Sequence, residues 1–271
     1  MADLADMIAA TPSVRPSVTQ LNTTAIKGCR LHHPESITLT AGGAAGDRDF
    51  LLVDETGRSF SVTRTGVFLP YWSRLDTQTQ LLSVGIGDRT YLECLANPAE
   101  PVRAHLFGDR YVDGHYVKGP WDEFFSGVAG VPLRLVRTDA PSGGADLHPV
   151  TLLSEASVAA VDAGHDCGAL DPRVFRLLIT CNGLEPFAEE GWTGGRLSVG
   201  SAVLQVGGPV PRCAAVQRHP DQPDVKLNTL RQLYAVRGKQ PSELGRTLNL
   251  GVYAEVGQSG TVALGDQLLL R

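Results

Sequence analysis

The chain has 271 residues, 42% of them hydrophobic, enough to bury a core as one large domain or two small ones. Its net charge is −5 and its Lys and Arg are scattered with no basic run, so the electrostatic footprint of nucleic-acid binding is missing. No stretch approaches the ~18–20 apolar residues that cross a bilayer, and the N-terminus MADLADMIAATPSVRPS carries Asp3 and Asp6 where a signal peptide needs positive charge. A cytoplasmic protein with no membrane partner is expected, with a flexible leader over residues 1–17.

From Val18 to about Leu95 the pattern is short and β-like: SITLT, FLLVDETGRSFSVT, TQTQLLSVGI and TYLECL. Asp54-Glu55-Thr56-Gly57 has hairpin turn chemistry, because Gly57 takes positive φ at no steric cost. The Gly/Ala segment AGGAAGDRDF interrupts these strands as a loop. GPWDEFFSGVAGVPLRLVRT reads as a helix from about Trp121 to Val128 and a strand from Pro132 to Val136. LLSEASVAAVDA then predicts a helix with Ser154 at its N-cap, where a hydroxyl accepts from an orphan backbone N–H.

From Phe175 onward FRLLIT, RLSVGSAVLQVGG and LGVYAEVGQSGTVALGDQLLL are strand-like. KLNTLRQLYAVRG breaks them with Leu227, Leu230, Leu233 and Tyr234 at helical spacing and Gly238 as a stop. The fold class predicted is α+β, mostly β: strands with regular Gly turns and a few helices, closing into a barrel or nearly so.

The five cysteines, Cys29, Cys94, Cys167, Cys181 and Cys213, are odd in number and widely spaced, which argues for free thiols and against disulfides, paired zinc ligands or an iron–sulfur module. The histidines show no HxxxH or HExxH spacing, so His32, His33, His115 and His165 read as surface groups, and HDC at 165–167 is too little for a metal site. Glu185, Glu189 and Glu190 read as an exposed acidic loop rather than paired catalytic carboxylates. Neither a GxSxG elbow nor a GxxxxGK[ST] loop is present, which removes the main support for hydrolase and nucleoside-triphosphatase functions. Cys213 stands apart: it follows Arg212 at the end of the Gly/Pro-rich turn GGPVPRC. A thiolate is the nucleophile and soft-metal ligand, and a neighbouring cation favours it. Adjacent strand residues point to opposite faces, so a cation other than Arg212 could serve that role.

Several separated stretches together resemble the MOSC family, the domain at the C-terminus of molybdenum-cofactor sulfurases and in the mitochondrial amidoxime-reducing component. They are FR at 175–176, GLEPFAEEGWTGGRLSVG at 183–200, GPVPRC at 208–213, DVKLNTLRQL at 224–233 and LGVYAEVGQSGTVALGD at 250–266. AIKGC at 25–29, AGDRDFLLVDETG at 45–57 and TR at 63–64 resemble the β-barrel unit that precedes MOSC in two-part members. The resemblance implies an N-terminal β-barrel-like domain over 18–125 and a MOSC domain over 126–271, with a ligand cleft between them.

It also implies that Cys213 ligates molybdenum held by a pyranopterin (Moco). Lys27, Arg48, Arg64 and Arg176, with Arg212 beside the thiol, are the candidates for the cofactor's phosphorylated end, and Ser154 could add a hydroxyl or a helix N-terminal N–H. The reaction implied is reductive removal of oxygen from a small N-hydroxylated or N-oxide substrate. The chain ends at GDQLLLR just after the family core, so an external electron-donor redox protein is the expected partner. Leu177-Leu178 stand where the family has Pro-Asn, removing one polar contact, and Gly28 stands where Ser is commoner. Two other functions stay open: a sulfur carrier holding a persulfide on Cys213, and a non-catalytic ligand-binding module.

Overall fold

The computed structural model describes residues 15–162 and 170–271. The expected leader, for its first fourteen residues, and the HDC stretch with His165 and Cys167 lie outside them. The first half runs β1 (Ser17–Leu21), β2 (Ser36–Thr40), β3 (Gly43–Ala44), β4 (Phe50–Val53), β5 (Trp72–Asp76), β6 (Leu81–Ile86), β7 (Arg89–Leu95), β8 (Pro98–Phe107) and β9 (Arg110–Val117). Then come α1 (Trp121–Ala129), β10 (Arg134–Thr138), β11 (Val150–Ser154), α2 (Glu155–Asp162), β12 (Ile179–Asn182), β13 (Arg196–Val199) and β14 (Ala202–Pro211). Helix α3 (Thr229–Arg237), the hairpin β15 (Gln240–Ser242) and β16 (Gly245–Thr247), and β17 (Asn249–Gln258), β18 (Gly260–Ala263) and β19 (Leu268–Leu270) complete the chain.

The main sheet has seven strands in the order β1-β12-β11-β17-β14-β13-β19. Its two edges meet through an antiparallel bridge between Ser17 and Gln267 and hydrogen bonds such as Leu268 N–H to Pro16 C=O, 2.8 Å, which closes it into a barrel and removes the exposed edges. The mostly-β fold expected from the sequence is the fold observed. The barrel is filled by Leu21, Val150, Leu152, Ile179, Leu204 and Val252, all buried.

A four-stranded sheet, β4-β10-β9-β8, and the sheet β5-β6-β7 build the N-terminal unit around Phe50, Leu52, Trp121, Phe125 and Leu135. Strand pairing divides the chain differently from a single cut near residue 125. Strand β1 belongs to the barrel and β10 to the N-terminal unit, because the apolar faces of both are completed by partners far away in sequence. The two units therefore share several chain crossings.

The Asp54–Gly57 turn forms as expected, with Gly57 at φ 75° and the Asp54 carboxylate accepting from the N–H of Thr56 and Arg58. Helix α1 ends at Gly130 in the left-handed conformation, φ 68°. The helix expected over LLSEASVAAVDA is shorter: LLS is the end of β11 and α2 begins at Glu155. Ser154 is the strand's last residue, and its hydroxyl, buried without a partner, does not cap the helix. The fully buried Glu189 lies beside it, accepting from Ser154 N–H at 3.3 Å and from the Ser157 hydroxyl at 2.8 Å. The expected acidic loop is thus partly internal: Glu189 is core and Glu190 pairs with Arg237. Burial raises the Glu189 carboxyl above the usual carboxylate range.

Candidate functional site

A cleft of about 350 Å³ lies where the N-terminal unit meets the barrel, within the size range of small-molecule sites. Strand β14 delivers one wall. It ends at Pro211, so the alternation of strand faces stops there, and Arg212 and Cys213 both line the cleft. Cys213 opens the 3₁₀ turn Ala214–Gln217 and its side chain is exposed, whereas Cys29 and Cys181 are buried.

Lys27, Arg48 and Arg176 line the same cleft. Arg48 and Arg176 sit at φ 53° and 55°, left-handed backbone that non-glycine residues adopt at a cost of roughly 1–3 kcal/mol each. Three guanidiniums knot the loop before β12: Arg48 donates to Arg176 C=O at 2.8 Å, Arg212 to Phe175 C=O at 2.5 Å, and Arg176 to Cys29 C=O at 2.6 Å. The carboxylates facing them are Asp47, paired with Arg48, and Asp146, paired with Lys27.

Cations in one place with few anions titrate accordingly. Burial first, then the charge of Arg48, pulls Arg176 down to about 10. Burial also lowers Arg212, whose Nε is buried without a hydrogen-bond partner. Desolvation works to raise the Asp146 carboxyl, yet Lys27 holds it below the usual carboxylate range. An incoming anion would relieve the repulsion among the arginines and find unused donors.

Two predicted residues are elsewhere. Arg64 does not line the cleft; it is about half exposed, bonded to Asp54 at 2.6 Å and stacked over Phe60. Ser154 is buried beside Glu189. Gly28 does line the cleft, and its φ of 98° is the reason glycine occupies that position. Leu177 also lines it, while Leu178 is part of the barrel core.

Among the cleft residues that escaped sequence reasoning are Asp146, His148, Thr151 and Tyr253. His148 lies between Glu243 at 2.7 Å and Glu255 at 3.3 Å and packs on the Tyr253 ring. Thr151 accepts from Leu178 N–H at 2.8 Å, leaving its own O–H to donate beside Leu177. Burial raises the Tyr253 hydroxyl above its ordinary range. The run DLHPVT after a Gly-rich loop was the available signal: three of its polar residues turn inward together.

A closed β-barrel with an exposed cysteine and a cationic pocket at its junction with a second β-unit defines the class of protein. Residues 139–269 match the MOSC domain family, a type of domain associated with molybdenum-cofactor binding. The chain is similar in structure to the YuaD protein from Bacillus subtilis, with a TM-score of 0.47, 14% identity, and 93% of each chain covered. It is also similar to YiiM from Geobacillus stearothermophilus, with a TM-score of 0.32 and 15% identity over 45% of this chain and 54% of that one. No curated protein matches it in sequence. Among the described residues, no helix is long and apolar enough to cross a membrane, and no group of three His, Cys, Asp or Glu side chains could hold a metal ion.

Proposed function

We propose that the cleft binds a molybdenum–pyranopterin cofactor and that the protein reduces small N-hydroxylated or N-oxide substrates, with electrons from an external redox protein. One observation carries this reading: the exposed Cys213 lines the same cleft as Lys27, Arg48, Arg176 and Arg212. The donor set suits the group, since a single thiolate is the protein ligand a pterin-held metal needs, and the orphaned Arg212 Nε and the crowded guanidiniums suit a phosphorylated tail.

When bound, the cofactor supplies the two-electron, oxygen-accepting chemistry. The chain's residues do the rest. Cys213 would hold the metal; Lys27, Arg48, Arg176 and Arg212 would anchor the anionic end and fix its orientation. Thr151 offers a hydroxyl donor near Leu177, in place of the polar contact the family supplies there. His148, with carboxylates on both ring nitrogens, stands in the cleft as a group able to hold a proton.

The test is molybdenum content and visible absorbance of the protein made in a host competent for cofactor synthesis, beside Cys213→Ala. Stoichiometric metal in the wild type and its loss in the variant are expected. Equally little metal in both, with sulfane sulfur detected on Cys213 of the wild type, would replace this reading with the sulfur-carrier one; absence of both would leave a binding module.

A further inference from the structure

A second cavity, of about 320 Å³, shares a loop with the cleft: Ala45 and Gly46 wall the cavity and Arg48, two residues on, the cleft. His32, His33 and Arg74 line it and no carboxylate does. The neighbouring ion pairs, Arg30–Asp221 and Arg173–Asp171, lie outside the lining and leave Arg74 without a carboxylate partner among the described residues.

The hydrogen bonds assign the imidazole tautomers. Asn22 Nδ2 donates to Leu177 C=O at 2.8 Å, so its Oδ1 is the atom facing His33 Nδ1 at 2.9 Å, and that nitrogen carries the hydrogen. His32 Nε2 donates to Ser73 C=O at 3.1 Å. Each ring therefore has one nitrogen committed to the protein and one left over, His32 Nδ1 and His33 Nε2. Protonation would turn each spare nitrogen into a donor.

Burial lowers both histidines, and Arg74 and Arg30 act further on His32, as Arg173 and Arg30 do on His33; against these, backbone hydrogen bonds to Ser73 and Leu21 raise His32 and His33 respectively, and Asp171 raises His33. Two imidazoles without a third donor do not make a metal site. A concave, positively biased space with two protonatable rings and a free guanidinium is instead complementary to negative charge.

We propose that this cavity binds a small molecule bearing a carboxylate or phosphate group, gripped by Arg74 and by His32 and His33, which take up protons as it binds. Binding and protonation are reciprocal, so affinity rises as pH falls. The site stands whether or not the cleft holds molybdenum.

The test follows the His32, His33 and His148 ring Cε1–H resonances of the full chain against pH in millimolar inorganic phosphate, acetate, or chloride at equal ionic strength. Phosphate or acetate should raise the His32 and His33 midpoints by about 1 pH unit while chloride does not. The more effective of the two oxyanions identifies the ligand's group. Arg74→Gln, at an exposed strand position, should abolish the rise with an unchanged melting curve. Midpoints unmoved by either oxyanion, an equal rise in chloride, a rise that persists in Arg74→Gln, or one confined to His148 in the cleft would each overturn the site.

Discussion

The barrel core and the cleft wall each hold cysteine, and the two settings make it a different residue. Cys181 is sealed among the side chains that fill the barrel, and burial pushes its thiol up to about 12. Cys29, buried in the N-terminal unit, is likewise pushed up to about 12. Cys213 lies exposed on a surface where cations gather. A core cysteine contributes volume; a cleft cysteine is open to solvent and ligand, and the difference is made by what surrounds the sulfur.

Alkylation of the native protein probes that contrast most directly. A thiol raised to about 12 from an ordinary 9.0 carries roughly a thousandfold less thiolate at neutral pH. Mass spectrometry after brief iodoacetamide treatment should find Cys213 modified, with Cys29 and Cys181 protected until the protein unfolds. Protection of Cys213 equal to that of Cys181 would erase the distinction.

Stability should divide along the same line. Leu152→Ala opens a cavity in a fully buried barrel position and should cost about 2–5 kcal/mol in denaturant unfolding. Arg212→Met, by contrast, removes a part-buried guanidinium that has one bond, to Phe175 C=O, and an Nε with no partner, and should cost no more than about 1.5 kcal/mol. A loss at residue 212 as large as that at 152 would mean that the cleft cations hold the fold together rather than await a ligand.

The smallest effect belongs to Asp54 in the hairpin turn. Desolvation works against the charge, but hydrogen bonds from Thr56, Arg64 and Arg58 hold its carboxyl down to about 2, below the ordinary 3.8. Its contribution is therefore complete above about pH 4 and is lost as pH falls toward 2. With Arg64 half exposed, Asp54→Asn should cost under about 1 kcal/mol at pH 7, and the difference from wild type should shrink toward pH 2. A difference independent of pH would assign the effect to backbone geometry alone.

Some of this was readable from the chain. The turn at Gly57, helix α1 from Trp121, helix α3 with Gly238, and the strands of the C-terminal third each follow from local signals. Strands β1, β3, β5, β8, β9, β11, β15 and β16 lay outside the strands read from the sequence, β3 in a stretch read as loop and β11 partly in one read as helix. Thr, Gln and charged residues break the alternation of β1 and β8, and pairing partners rather than pattern hold them. The same limit applies to the site. Arg64 and Arg48 both lie in motif-like stretches, yet only Arg48 turns into the cleft; Arg64 is captured locally by Asp54.

By itself, then, the sequence determined the class of fold and singled out residue 213, because strand alternation, turn glycines and an Arg-Cys pair after a Gly/Pro turn are written in neighbouring residues. Tertiary structure decided which charges line the cleft with that residue, that Ser154 and Glu189 face inward, and that His148 and Tyr253 join the cleft. Those outcomes depend on packing between segments that lie far apart along the chain, and a side chain's direction there is set by barrel closure rather than by its neighbours in sequence.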